Sequence, residues 1–327
     1  MNYACEFVTP ERTVRGVLIA GEELIFEERD VQPEYIVCPS FFNAHTHLGD
    51  SVAKDPPFGG IDIVAPNGYK FRMLERFKDE CTEAMAESID LAFKSGCTGV
   101  MDFREGGVEG IEMLKKADKR GICVGLSRPS SLEEAEKLVD ISDGFGISSV
   151  RDVGKAFAEE LREIAAKKGK IFAIHAGEVD SQDVDDALAL EPDILVHMNM
   201  ATAEQLRRAM DEGIPIVSCV RSNAFFNVLN PKNYEILASY DRWLVGTDNV
   251  MLATPSILDE LSFASYVLKN DEALFRAATR KPFSRTGVVV FHKKLNLARV
   301  RNPLASIVRR ACMADIEAVL AGSLNFE

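Results

Sequence analysis

The chain is poor in histidine, with five in 327 residues, and its seven cysteines are odd in number and scattered, with no C-x-x-C pair. That excludes a disulfide framework and a cysteine-rich zinc site. Basic residues are short as well: 38 Lys and Arg stand against 51 Asp and Glu, a formal net charge of −13. No cationic excess remains to neutralise phosphates, so nucleic acid is excluded as a partner. No apolar run approaches the ~18 residues of a membrane-spanning helix, and the opening "MNYACEFVTPERTV" does not read as a secretory signal. With reduced thiols added, the expectation is a soluble, cytoplasmic protein without a membrane partner. A G-x-G-x-x-G after the first strand is also missing, which removes the main support for a dinucleotide-binding open sheet.

What is present is a rhythm. From about residue 35 short apolar runs rich in β-branched residues alternate with longer helical stretches. The runs are "YIVCPSFFNAH", "GCTGVMDFRE", "GICVGLSRP", "DGFGISSV", "KIFAIHAGE", "DILVHMN", "IPIVSCVRSN" and "RWLVGTDN". Between them, "ECTEAMAESIDLAFKSG" and "VGKAFAEELREIAAKKG" carry helical spacing and end in glycine, while "SLEEAEKLVDIS" and "ATAEQLRRAMDEG" begin on capping residues. Eight strand-helix units are the number that closes a parallel barrel, and runs apolar on both faces suit strands covered on both sides. The fold expected is a (β/α)8 TIM barrel over residues 38–283. The segments 1–37 and 284–327 read as strands from both termini, joined in one small discontinuous β-module beside it.

In such a barrel chemistry sits at the C-terminal ends of the strands. Four of the five histidines fall there. Strand one ends in His45 and His47, strand five in His175, strand six in His197, and strand eight in Asp248. Residues 45 and 47 point the same way on a strand, so two imidazoles can reach one ion. Any one of these histidines alone is readable as a hydrogen-bonded core residue; four with an aspartate on one rim are not. Specificity belongs to the loops, foremost the long one after strand one, where Phe58, Tyr69 and Phe71 either stack on a flat ring or pack the loop down. Arg104, Arg128 and Arg221 lie near strand ends with forks suited to carboxylate or phosphate, and Asn223 is placed to bond a ring heteroatom.

The ordered set "NAHTHLGDS", "IHAGE", "LVHMN", "SCVRSN" and "VGTDN" resembles the amidohydrolase superfamily. It is most similar to the aminohydrolase branch of cytosine, guanine and adenosine deaminases and triazine chlorohydrolases. The likeness runs over nearly the whole chain, including the tail "NPLASIVRRACMADIEAVLAG". Two departures stand out: the chain is shorter than most of the family, and Val220 replaces a usual proline. The resemblance implies one divalent ion held by His45, His47, His175 and Asp248, zinc first and iron or manganese accepted. It implies His197 and Asp248 as groups acting on an activated water, and Glu178 as the acid that protonates a ring nitrogen. The implied reaction is hydrolytic deamination of a heterocycle such as a purine, pyrimidine or pterin, with Arg128, Arg221 and Asn223 as substrate contacts. The small-molecule substrate is the partner expected, and a homo-oligomer is allowed. Two alternatives stay open. One is a binuclear cyclic-amide hydrolase, although Lys155 lies too far past strand four to bridge metals. The other is a non-catalytic metal-binding barrel.

Overall fold

The computed structural model describes residues 1–65, 67–283 and 286–326. The N-terminal strands β1 (Asn2–Val8), β2 (Thr13–Ala20), β3 (Leu24–Glu28) and β4 (Tyr35–Pro39) precede nine strands of a second sheet. These are β5 (Phe41–His47), β6 (Cys97–Arg104), β7 (Cys123–Ser127), β8 (Gly144–Ile147), β9 (Ile171–Ala176), β10 (Ile194–His197), β11 (Ile216–Ser218), β12 (Trp243–Val245) and β13 (Asp248–Asn249). The C-terminal strands are β14 (Gly287–His292), β15 (Ile316–Ala321) and β16 (Leu324–Phe326).

The terminal strands form one sheet in the order β15-β14-β4-β1-β2-β3-β16. Strands from both chain ends thus share a single hydrogen-bonded unit, with Phe7, Phe26 and Phe326 in edge and tilted contact over it. The apolar run read from the sequence as a single strand at 35–45 is divided at Ser40: β4 belongs to the terminal sheet and β5 opens the barrel. Residue 284, where the second terminal segment was expected to begin, lies outside the described residues.

The other sheet is parallel throughout, ordered β12-β11-β10-β9-β8-β7-β6-β5-β13. Strands β12 and β13 are two halves of one eighth strand. The first pairs with β11 and the second with β5, which closes the ring. At the seam Gly246 N donates to Ser218 O on one side, and Thr247 N donates to His45 O at 3.0 Å on the other. Interior residues such as Phe42, Met101, Leu126, Ala173, Val196, Val217 and Leu244 fill the lumen, alternating with residues that face the helices. Among the helices, Ala203–Asp211 is opened by a reciprocal cap between Thr202 and Gln205, and Lys155–Lys168 ends at Gly169 with φ of 62°. No described helix is long and apolar enough to cross a membrane.

Gly246 is fixed by the closure. A Cβ there would lie 2.7 Å from His45 Cβ and 2.7 Å from His45 N. Gly246→Ala should therefore cost ~1–3 kcal/mol, the usual range for overpacking. Urea unfolding of chelator-treated protein checks this apart from any effect on metal binding; an unchanged midpoint would show that the seam has slack.

Candidate metal centre

The local backbone aims the side chains. A one-residue irregularity in the β5–β6 pairing between Asn43 and Thr46 shifts the alternation of β5. Ala44 faces the lumen with Phe42, and after the bulge His45 and His47 do so as well. On β10, Val196 already faces the lumen, so simple alternation would send His197 outward. Left-handed backbone at His197, with φ of 74°, turns it back, and Asp248 has φ of 60°. Such conformations are costly for residues with a Cβ and persist where the surroundings impose them.

The result is a tight buried cluster. His45 Nε2 is 3.2 Å from Asp248 Oδ1 and 3.3 Å from His175 Nε2. His47 Nε2 is 3.5 Å from the same aspartate oxygen. Two sets, His45–His47–His175 and His45–His197–Asp248, each bring their donor atoms within 4.8 Å of one another. Backbone carbonyls fix two tautomers from behind. His47 Nδ1 lies 3.1 Å from Phe103 O, and His175 Nδ1 lies 2.8 Å from Ile147 O, so each Nδ1–H donates and each Nε2 keeps its lone pair. The Nδ1 atoms of His45 and His197 are buried with no partner among the described residues.

Burial favours the neutral form of His45, His47 and His175. It takes His45 down to about 3, and it lowers His47, with the Lys70 cation adding to the effect. Burial also carries His175 well below its usual value, helped by His45. For Asp248 burial acts upward, but the His45 hydrogen bond and the surrounding imidazoles outweigh it and hold the carboxylate well below its normal range. Its second oxygen accepts from Ser222 Oγ at 2.5 Å, and Asn249 Nδ2 donates to the first at 2.9 Å. The lone pair of His47 Nε2 and the Asp248 carboxylate face each other at 3.5 Å in a buried space, a repulsion that a cation between them would remove. Three imidazoles and one carboxylate are a donor set for a divalent ion of the zinc type.

Beside the cluster, Glu178 follows β9 in the loop, with Oε2 3.8 Å from His197 Nε2 and a quarter of the side chain open. Burial raises its carboxyl above the usual value, more than the opposing pull of His197 lowers it. A cavity of about 430 Å³ opens over these groups, lined also by Lys70, Phe71, Arg128 and Asn249.

The structure separates the expected substrate contacts. Arg128 lines the cavity, and among the described residues its guanidinium has only distant polar neighbours, Gly146 O at 3.5 Å and Glu105 at 4.0 Å. Arg221 does not line it; its Nε donates to buried Glu260 at 2.6 Å and its Nη2 to Thr254 O. Asn223 is turned to Tyr234, donating to its hydroxyl at 2.7 Å. Arg104 is buried against Glu105, Phe71 reaches the cavity, Tyr69 does not, and Phe58 is exposed and stacked on Phe225. Lys155 is a surface residue paired with Asp186, remote from the cluster. Four contributors escape the sequence reading: Glu105, Lys70, Ser222 and Asn249. Glu105 ends the quoted run "GCTGVMDFRE", so the strand-end rule that picked the histidines would have found it. Nothing local marks Lys70.

Residues 36–288 match the Amidohydrolase family. A protein of Archaeoglobus fulgidus, provisionally named an aminohydrolase, is 45% identical over 97% of this chain and 96% of its own length. One from Methanothermobacter thermautotrophicus with the same name is 30% identical over 93% of this chain and 87% of its own. Two solved structures share the fold. An adenosine deaminase from Xanthomonas campestris with bound zinc has a TM-score of 0.75 at 17% identity, covering 98% of this chain and 91% of that one. A guanine deaminase from C. acetobutylicum with bound guanine has a TM-score of 0.74 at 15% identity, covering 98% and 97%. With a family match over most of the barrel and a buried donor set built for a divalent ion, this chain belongs to the amidohydrolase family.

Proposed function

We propose that this amidohydrolase removes an exocyclic amine from an N-heterocycle by hydrolysis, using one zinc ion per chain. The observation that carries the reading is the pairing of a raised carboxyl, Glu178, with His197 directly beside the donor cluster and open to the cavity. His45, His47, His175 and Asp248 would hold the ion. When bound, it supplies Lewis acidity and brings the pKa of a water toward ~7.

The chain's own residues do the rest. Asp248, kept ionised, is the base available for a proton of the attacking water, and Ser222 and Asn249 hold it in place. Glu178, whose protonated form burial favours, donates to the ring nitrogen as oxygen adds to the adjacent carbon. The proton that Asp248 took then passes to the exocyclic nitrogen, the C–N bond breaks as ammonia leaves, and the added hydroxyl returns its proton to Glu178 as the carbonyl forms. His197 is positioned to donate a hydrogen bond to the oxygen that gains charge. Arg128, which lines the cavity, suits an oxygen acceptor on the substrate, either a ring carbonyl or an anionic substituent.

Ammonia release from a panel of aminopurines, aminopyrimidines, pterins and triazines tests the proposal. At least one compound should give stoichiometric ammonia and the corresponding oxo-heterocycle, abolished by chelator and restored by zinc. Ring opening of cyclic amides without ammonia, and no deamination anywhere in the panel, would replace this reading with the cyclic-amide one.

A further inference from the structure

Between β5 and the helix Cys81–Lys94 the chain makes an excursion that includes the helix Tyr69–Arg76, and Ile61, Val64, Ala65, Lys70 and Phe71 from it wall the cavity. The one buried residue of that helix is a lysine. Lys70 is 3% exposed, so its ammonium has given up water and must be repaid by partners. Three elements supply them: Glu105 Oε1 at 2.7 Å, Asn249 Oδ1 at 3.2 Å and Asp50 Oδ2 at 3.7 Å. Two of these partners touch the donor cluster. Glu105 Oε1 is 3.0 Å from His47 Nδ1, and Asn249 donates to Asp248. The rest of the helix offers only half-buried apolar side chains, such as Tyr69 and Met73, to a small cluster around Ile63, Phe226 and Met251. Its seating therefore depends on a charge contact made at the metal centre.

We propose that Lys70 and Glu105 form a clamp that seats this excursion over the cavity and, through the same contact, orients His47 and Asp248. Both are positioning residues. The inference rests on the metal-centre reading and is independent of which reaction follows. Its consequence is reciprocal. If seating the excursion improves metal affinity, bound metal must favour the seated excursion by the same factor.

The test uses full-length, chelator-stripped protein, zinc as the probe, and subtilisin cleavage within residues 54–65 as the measure of seating. In the wild type, saturating zinc should slow cleavage several-fold. Lys70→Met should bind zinc ~10–100-fold more weakly, the usual effect of losing a group that orients a ligand, and should lose the zinc-dependent protection. Lys70→Arg should recover part of both. Zinc binding by the wild type without protection would overturn the clamp alone, as would Lys70→Met with wild-type affinity and protection. No zinc binding by the wild type would overturn the metal-centre reading and the clamp with it. Should Lys70→Met fail to fold, the wild-type comparison decides by itself.

Discussion

Alanine at His175 should yield a folded chain whose metal content drops from about one ion per chain to nearly none, with turnover at background. His175 is anchored by Ile147 O through Nδ1, and its Nε2 faces His45. The alanine variant would remove one of the four proposed donors together with its anchor on that carbonyl. A ligand that only orients from behind is worth ~10–100-fold in affinity, so loss of a direct donor should exceed that. Stability reports the same event. Metal present at ~1,000 times its Kd contributes ~4.1 kcal/mol to the native state by mass action. Wild-type protein should therefore melt markedly higher with zinc than with chelator, and the His175→Ala variant should show almost no difference. Elemental analysis and paired melting curves check both statements. A His175→Ala protein that keeps a full metal complement would remove this residue from the donor set, and two ions per wild-type chain would favour a binuclear centre.

The second large effect belongs to Glu178. Glu178→Gln should retain the metal, because the carboxyl approaches His197 and is not part of either donor set. Turnover should fall by ~10²–10⁴, the range for loss of a general acid. The pH profile gives an independent signature. In the proposed mechanism Glu178 acts in its protonated form, and burial raises its pKa above that of a free glutamate. Activity should thus persist at low pH and decline as pH rises through that raised value, and Glu178→Gln should lack this basic limb. Asp248→Asn should behave differently, losing metal and turnover together, since its Oδ1 lies among the donor atoms. Near-normal turnover in metal-loaded Glu178→Gln would place the acid elsewhere on the rim.

Much of this protein was legible in one dimension. Burial on both faces makes a barrel strand apolar along its length, and helix ends carry local caps, so the eight units, their order and the barrel followed from the chain. The same applies to the addresses of the key side chains. His45, His47, His175, His197 and Asp248 end strands, and strand ends in a closed parallel barrel share one rim. Glu105 was equally available at its strand end.

Direction was legible only where simple alternation sufficed, as for His45 and His47 pointing the same way. Whether a rim residue faces the lumen depends on pairing register, and that is settled only when β5 meets β6 and the extra residue between Asn43 and Thr46 is absorbed. The inward turn of His197 needs a left-handed backbone, uncommon for any residue with a Cβ and not specified by its local sequence. Pairing of charges was also undecided. Arg128 and Arg221 look alike beside their strands, yet Arg221 is consumed by Glu260, 39 positions away, while Arg128 is left facing the cavity. Lys70 reads as a surface lysine until Glu105, Asp50 and Asn249, from three separate parts of the chain, close around it. Local periodicity encodes where a residue sits along its element. Which way it points, and which charge it meets, is fixed by long-range pairings that exist only once the ring has closed.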